Sequence, residues 1–243
     1  MPEPEDAISK NNQAGLAVIA GAGPGIGAHL ARCFHDAGYR VALLARSAST
    51  LQALRRELPG SCGFRCDVSS PESVDRTFRE IRSTLGPARV LVFNAGPIVF
   101  GDVETVTPGD FERAWRVSAY GGLLCSQQVI PDMKAAGGGS IVFIGATASR
   151  RGGGKFAAFA PAKAAQRSLA ESMARHLWPL RIHVSLIVVD GWVGAPAEID
   201  RSSRLQESAV DPRVVASTAV QLARQAPGGW SFEVDLRPAR EQW

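Results

Sequence analysis

Apolar runs and helical repeats alternate along the chain from end to end. The runs are "LAVIA", "RVALLA", "GFRCDV", "RVLVFNAG", "SIVFIGA", "IHVSLIVVD" and "WSFEVDL". Most are too uniformly apolar for strands wetted on one face, so they predict strands of a parallel sheet covered on both sides. Between them lie helical patterns from about Ile26, through "STLQALRREL", from Pro71, from Pro108 to Met133, around Lys163, and from Asp211. Strand and helix in strict alternation predict an α/β fold, a Rossmann-type doubly wound sheet of seven parallel strands in a single domain. Ser49, Ser69 and Asp211 stand where helix N-caps are expected, with Pro71 and Pro212 early in the helices that follow.

Composition narrows the picture. A chain of 243 residues that is 45% hydrophobic can build one large core. Residues 1–13 read as a flexible polar leader and residues 14–243 as the domain. No apolar run reaches the roughly 20 residues of a membrane span, and the acidic start "MPEPED" has no signal-peptide character, so a cytoplasmic protein with no membrane partner is expected. The net charge of +4 comes from arginines scattered over the polar faces of the helices, which argues against a nucleic-acid partner. Cys33, Cys62, Cys66 and Cys125 form no CxxC pair, so reduced thiols and no metal site are expected.

The first candidate chemistry follows the first strand. "GAGPGIG" places Gly21, Gly23, Gly25, Ile26 and Gly27 on a turn that opens a helix, where glycines let backbone N–H groups approach a pyrophosphate. The second strand ends at Ala45, Arg46 and Ser47, with no acidic residue to hold a free ribose 2′-hydroxyl. An arginine there favours a 2′-phosphate, hence NADP(H) as the cofactor.

With these pieces in order, the chain from Leu16 to Leu236 resembles the short-chain dehydrogenase/reductase family. "GAGPGIG" matches its cofactor turn, Asp67 and Val68 in "CDV" its adenine contact, and Asn94, Ala95 and Gly96 its "NAG" motif. Lys163 matches the lysine that holds the nicotinamide ribose and lowers the pKa of a catalytic tyrosine. The resemblance also implies a homodimer or homotetramer formed through the helices after the fourth and fifth strands, and a small-molecule substrate.

Three positions depart from that family's relay. Phe159 stands at the tyrosine position, Ala146 at the serine position and Ser118 at the asparagine position, and neither Tyr39 nor Tyr120 lies on the Lys163 helix. Phenylalanine and alanine cannot donate a proton to a developing alkoxide, and a general acid contributes about 10²- to 10⁴-fold. The expected activity is therefore an atypical NADP(H)-dependent oxidoreductase acting on C=N or activated C=C bonds in preference to plain ketones. Asp190, Thr147, Ser149 and Ser118 are the candidate acids, and Phe159, Trp192 and Asp190 could face an iminium cation. Two alternatives stay open: an NADP(H)-binding pseudoenzyme serving as sensor, scaffold or inactive partner, and a non-redox enzyme reusing the pocket for elimination or isomerisation. Arg150 and Arg151 could meet an acidic substrate, and the loop from Trp192 to Val210 is the expected substrate lid.

Overall fold

A computed structural model describes residues 14–194 and 209–240. The chain opens with β1 (Ala14–Ala20), α1 (Ile26–Asp36), β2 (Tyr39–Ala45), α2 (Ala48–Glu57), β3 (Cys62–Arg65), α3 (Pro71–Leu85) and β4 (Ala88–Phe93). There follow α4 (Pro108–Trp115), a π-helical turn (Arg116–Tyr120), α5 (Gly121–Ala135), β5 (Gly139–Ala146) and α6 (Phe159–Leu177). β6 (Ile182–Val189), the short strands β7 (Trp192–Val193) and β8 (Ala209–Val210), α7 (Pro212–Ala223) and β9 (Glu233–Leu236) complete it.

The seven-stranded sheet has the order β3-β2-β1-β4-β5-β6-β9, with every pairing parallel, as the apolar runs predict. β7 and β8 form a separate two-stranded pair. Alternation along each strand splits the core in two. Leu16 and Val18 face Phe78 of α3, Val129 of α5 and Met173 of α6, whereas Ala17 and Ile19 face Phe34 of α1, Leu54 of α2 and Val215 of α7. All eight residues of β6 are buried, which explains why "IHVSLIVV" shows no period of two.

The strand order reverses between β1 and β4, so the loops leaving these two strands diverge and open a crevice at the carboxyl edge of the sheet. Ligands of open α/β sheets bind in such a crevice.

Three local expectations need correction. Ser47 caps α2, its Oγ accepting the Thr50 N–H at 3.3 Å, while Ser49 is already within the helix and bonds the Ser47 hydroxyl. Ser70 caps α3, because Ser69 donates both its N–H and its hydroxyl to Asp67 and is held in that tight turn. Asp211 does cap its helix, accepting the Arg213 N–H. The single helix expected from Pro108 to Met133 is interrupted by the π turn, which periodicity alone does not reveal because π turns keep the chain helical. The proposed leader and most of the proposed lid lie outside the described residues.

Candidate functional site

The glycine turn is shaped by close backbone approach at two positions and by open space at two others. A Cβ on Gly27 would lie 2.2 Å from the Gly21 carbonyl oxygen, and one on Gly21, whose φ is +95°, would lie 2.6 Å from the Ala95 nitrogen. Neither position admits a larger residue. A Cβ on Gly23, which lines the crevice, or on Gly25 would meet nothing within 4 Å. Gly25 starts α1 without a side-chain cap and no acidic residue occupies the first turn, so the helix N-terminus is left to an external anion. Asn94 donates its Nδ2–H to the Gly21 carbonyl at 2.8 Å and ties the end of β4 to this turn.

Two cavities meet here. One, of about 420 Å³, is bounded by Gly21, Gly23, Ala45, Arg46, Ser47, Asp67, Val68 and Arg113. The other, of about 550 Å³, is bounded by Ile26, Ile98, Phe100, Ala146, Thr147, Phe156, Phe159, Lys163 and Trp192. Asn94 and Gly96 line both, so the two form one crevice along the sheet edge. Hydrogen bonds from the Ser69 hydroxyl and N–H hold the Asp67 carboxyl below its usual range, with Arg46 contributing, so the first cavity contains a fixed anion beside an exposed cation.

These residues fit an extended dinucleotide. The smaller cavity has open space beside Gly23 and an arginine at its rim, and it runs into an apolar cavity with a buried lysine.

Lys163 is 6% exposed and projects from α6 to the junction of the cavities. Its Nζ donates to the Ile144 carbonyl at 2.8 Å and to Gln166 Oε1 at 3.1 Å, and burial lowers its pKa to about 8. Phe159 lies one turn earlier with its ring 5.9 Å from that of Phe156, so the two form an aromatic wall of the larger cavity. Ser118 is fully buried and its Oγ has no hydrogen-bond partner. A Cβ built on Gly96 would come within 3.3 Å of that oxygen and 3.4 Å of Lys163 Nζ, so both groups converge on the crevice floor.

The other candidate acids are placed differently. Asp190 is 3% exposed; its carboxylate accepts the Thr147 hydroxyl at 2.5 Å and pairs with Arg237 at 2.9 Å. Among the described residues no carboxylate lines the larger cavity, so the anion expected to balance an iminium there is turned into a salt bridge behind Thr147. No local pattern signals this, because the partner arginine is 47 residues away on the segment after β9. Thr147 does line the cavity, whereas the Ser149 hydroxyl is occupied in accepting the Ala146 N–H at 3.1 Å. Trp192 stands 66% exposed at the cavity mouth. Of the two arginines after β5, Arg150 is paired with Glu233 and Asp235 on β9, and Arg151 lines the cavity. Sequence reasoning missed Arg113, Phe100, Phe156 and Gln166; only Gln166 carried a signal, being three residues from Lys163 and hence on the same helix face.

Comparison with known proteins agrees with this geometry. Residues 15–202 match the family model for short chain dehydrogenases, and the chain belongs to that family. It is 36% identical over 182 residues to an uncharacterised short-chain type dehydrogenase/reductase of Sinorhizobium fredii, covering 70% of this chain and 71% of that one. It is 31% identical over 189 residues to a sorbitol dehydrogenase of Cereibacter sphaeroides, covering 75% and 74%. Among solved structures, a short-chain dehydrogenase from Rhodopseudomonas palustris superposes with a TM-score of 0.79 at 31% identity, covering 92% and 98% of the two chains. A metagenomic short-chain oxidoreductase in complex with NADP superposes with a TM-score of 0.80 at 29% identity, covering 93% and 97%. The protein is thus a short-chain dehydrogenase/reductase whose Rossmann-type sheet and crevice follow the family plan. No helix among the described residues is long and apolar enough to cross a membrane.

Proposed function

We propose that this protein is an NADP(H)-dependent reductase of activated C=C bonds in apolar, carbonyl-conjugated substrates. The observation that carries the reading is the pairing of Phe159 with a retained, buried Lys163 at the junction of the two cavities. NADPH, when bound, supplies a hydride. The glycine turn and the uncapped start of α1 would hold its pyrophosphate, Asp67 and Val68 would flank adenine, and Lys163 would hold the nicotinamide ribose. Arg46, exposed at the rim of the smaller cavity, supports a 2′-phosphate on the adenosine side.

Two acceptors tolerate the loss of a tyrosine proton donor, an iminium carbon and an activated alkene. The cavity favours the alkene, because among the described residues its charged lining groups are the cations Lys163 and Arg151, with the counter-charge of Arg151, Asp190, 3.9 Å away and outside the lining. Positive charge opposes a cationic substrate and stabilises negative charge developing on a conjugated carbonyl oxygen. The completing proton goes to carbon and comes from water at the open cavity mouth, so no hydroxyl is needed at residue 159. Ile98, Phe100, Phe156 and Phe159 provide an apolar and aromatic bed for the substrate.

The test is a panel of aryl enones, cyclic imines and simple ketones assayed for NADPH consumption, with deuterated cofactor to locate the transferred hydrogen. Label on the β-carbon of the enone, with little turnover of the other two classes, is expected. Preferential reduction of ketones or imines would refute the substrate assignment; tight NADPH binding without turnover of any class would favour a pseudoenzyme.

A further inference from the structure

Gln166 is fully buried on α6, three residues beyond Lys163, and occupies a position where the helix could have presented an apolar side chain to the core. Instead it bridges two elements. Its Oε1 accepts from Lys163 Nζ at 3.1 Å, and its Nε2 donates to the backbone carbonyl of Ser118 at 3.1 Å. Ser118 belongs to the π turn, a distortion often found at functional sites, and here its carbonyl is directed to a side chain of the neighbouring helix. The carboxamide can take only one orientation, since an ammonium only donates and a carbonyl only accepts.

An ammonium has three N–H bonds. Two are directed to Ile144 O and Gln166 Oε1, which leaves the third for the crevice floor beside Gly96. We propose that Gln166 is the positioning residue for Lys163, clamping the ammonium between β5 and the π turn so that it stays charged and keeps one donor aimed at the junction of the two cavities. A carboxamide holds no exchangeable acid of its own at neutral pH, so the clamp fixes a cation without connecting it to a proton relay. What the aimed donor does there rests on the proposed dinucleotide reading; the clamp itself is tested below without cofactor.

The charged groups around Lys163 are otherwise engaged. Arg116 of the π turn pairs with Glu112, Asp190 pairs with Arg237 behind Thr147 and has Arg151 at 3.9 Å on its other oxygen, and Tyr120 stacks on Trp115. Among the described residues Lys163 has no carboxylate partner, so the acceptor on Gln166 is the side-chain contribution that opposes its burial.

The chain has four lysines, Lys10, Lys134, Lys155 and Lys163, so protein labelled with ¹³C-lysine gives a small, assignable set of Cε resonances. In cofactor-free protein the Lys163 signal is expected to titrate near its lowered value of about 8. Gln166→Leu removes the acceptor and moves the midpoint to lower pH, whereas Gln166→Glu supplies a charged acceptor and moves it to higher pH; Lys134 and Lys155 stay in place. NADPH affinity at neutral pH falls about tenfold in the Leu variant and is largely kept in the Glu variant, a loss of the size expected for one misplaced charged donor. A purely packing role would give no opposite shifts. Midpoints unmoved in both variants, or moved in the same direction, would overturn the proposal. If the Leu variant does not fold, Gln166→Met keeps the chain length and replaces it, and the direction of the Glu variant's shift decides independently. Opposite shifts without any NADPH binding would uphold the clamp and reject the dinucleotide reading.

Discussion

Replacing Asp190 by asparagine separates a structural carboxylate from a catalytic one. The Asp190 side chain is 5% exposed and that of Arg237 14%, and their 2.9 Å contact is an ion pair largely withdrawn from water. Asparagine keeps a carbonyl to accept the Thr147 hydroxyl, and the change removes the charge and replaces the oxygen facing Arg237 by an N–H donor. Breaking a buried pair from one side costs about 3–5 kcal/mol. Asp235 remains 3.2 Å from the same guanidinium and offsets part of the loss, which places the expected cost near the lower end. At about 2–4 °C per kcal/mol for a chain of this size, the melting temperature should fall by roughly 6–12 °C. Thermal melts followed by circular dichroism on Asp190→Asn, Arg237→Met and the double variant form the assay. The double variant should recover about 1–3 kcal/mol relative to the sum of the singles, and NADPH affinity should be kept because the phosphate cradle lies elsewhere. A single variant melting within about 2 °C of the parent, or strictly additive costs, would refute the reasoning and return Asp190 to the list of candidate acids.

Arg46→Ala should weaken NADPH binding by about ten- to a hundredfold and leave NADH binding unchanged, read by quenching of tryptophan fluorescence; equal losses for both cofactors would reject the 2′-phosphate assignment. Lys163 gives the molecule a signed pH dependence. Its pKa is lowered from 10.5 to about 8, so between these values the unfolded chain binds more protons than the folded one. Stability relative to Lys163→Met should therefore rise with pH across that window and level off above it, in urea titrations at stepped pH; a constant difference would show that the lysine is not buried in its charged form.

The sheet was legible because strands buried on both faces must be apolar throughout and the helices between them must be amphipathic. The tight turn after β1 was legible because glycine spacing reports where backbone must approach backbone, as at Gly21 and Gly27. The substrate side was not. Asp190 and Arg237 meet only after β9 pairs with β6, and no local pattern encodes that meeting. The π turn is hidden for a related reason, since it alters the helix by one hydrogen-bond register without changing which residues are apolar. Gln166 lay in view, three residues from Lys163, but a lone glutamine on a helix reads as solvated until the helix is seen to be buried there.

The Asp190–Arg237 pair also has a meaning in the order of synthesis. Every residue that bounds the smaller cavity lies at or before Val117 and Arg151 precedes Asp190, whereas the Arg237 guanidinium that pairs with Asp190 at 2.9 Å is translated 47 residues after it. Synthesis runs from the N-terminus, so earlier segments are available before later ones, although a domain generally folds as a unit. The residues of the smaller cavity are thus all available while Asp190 has Arg151 at 3.9 Å as its counter-charge, and the closer pair with Arg237 forms only when β9 docks on β6. A chain interrupted between Asp190 and Arg237 would keep every residue that bounds the smaller cavity and lack the closer of the two cations that face Asp190.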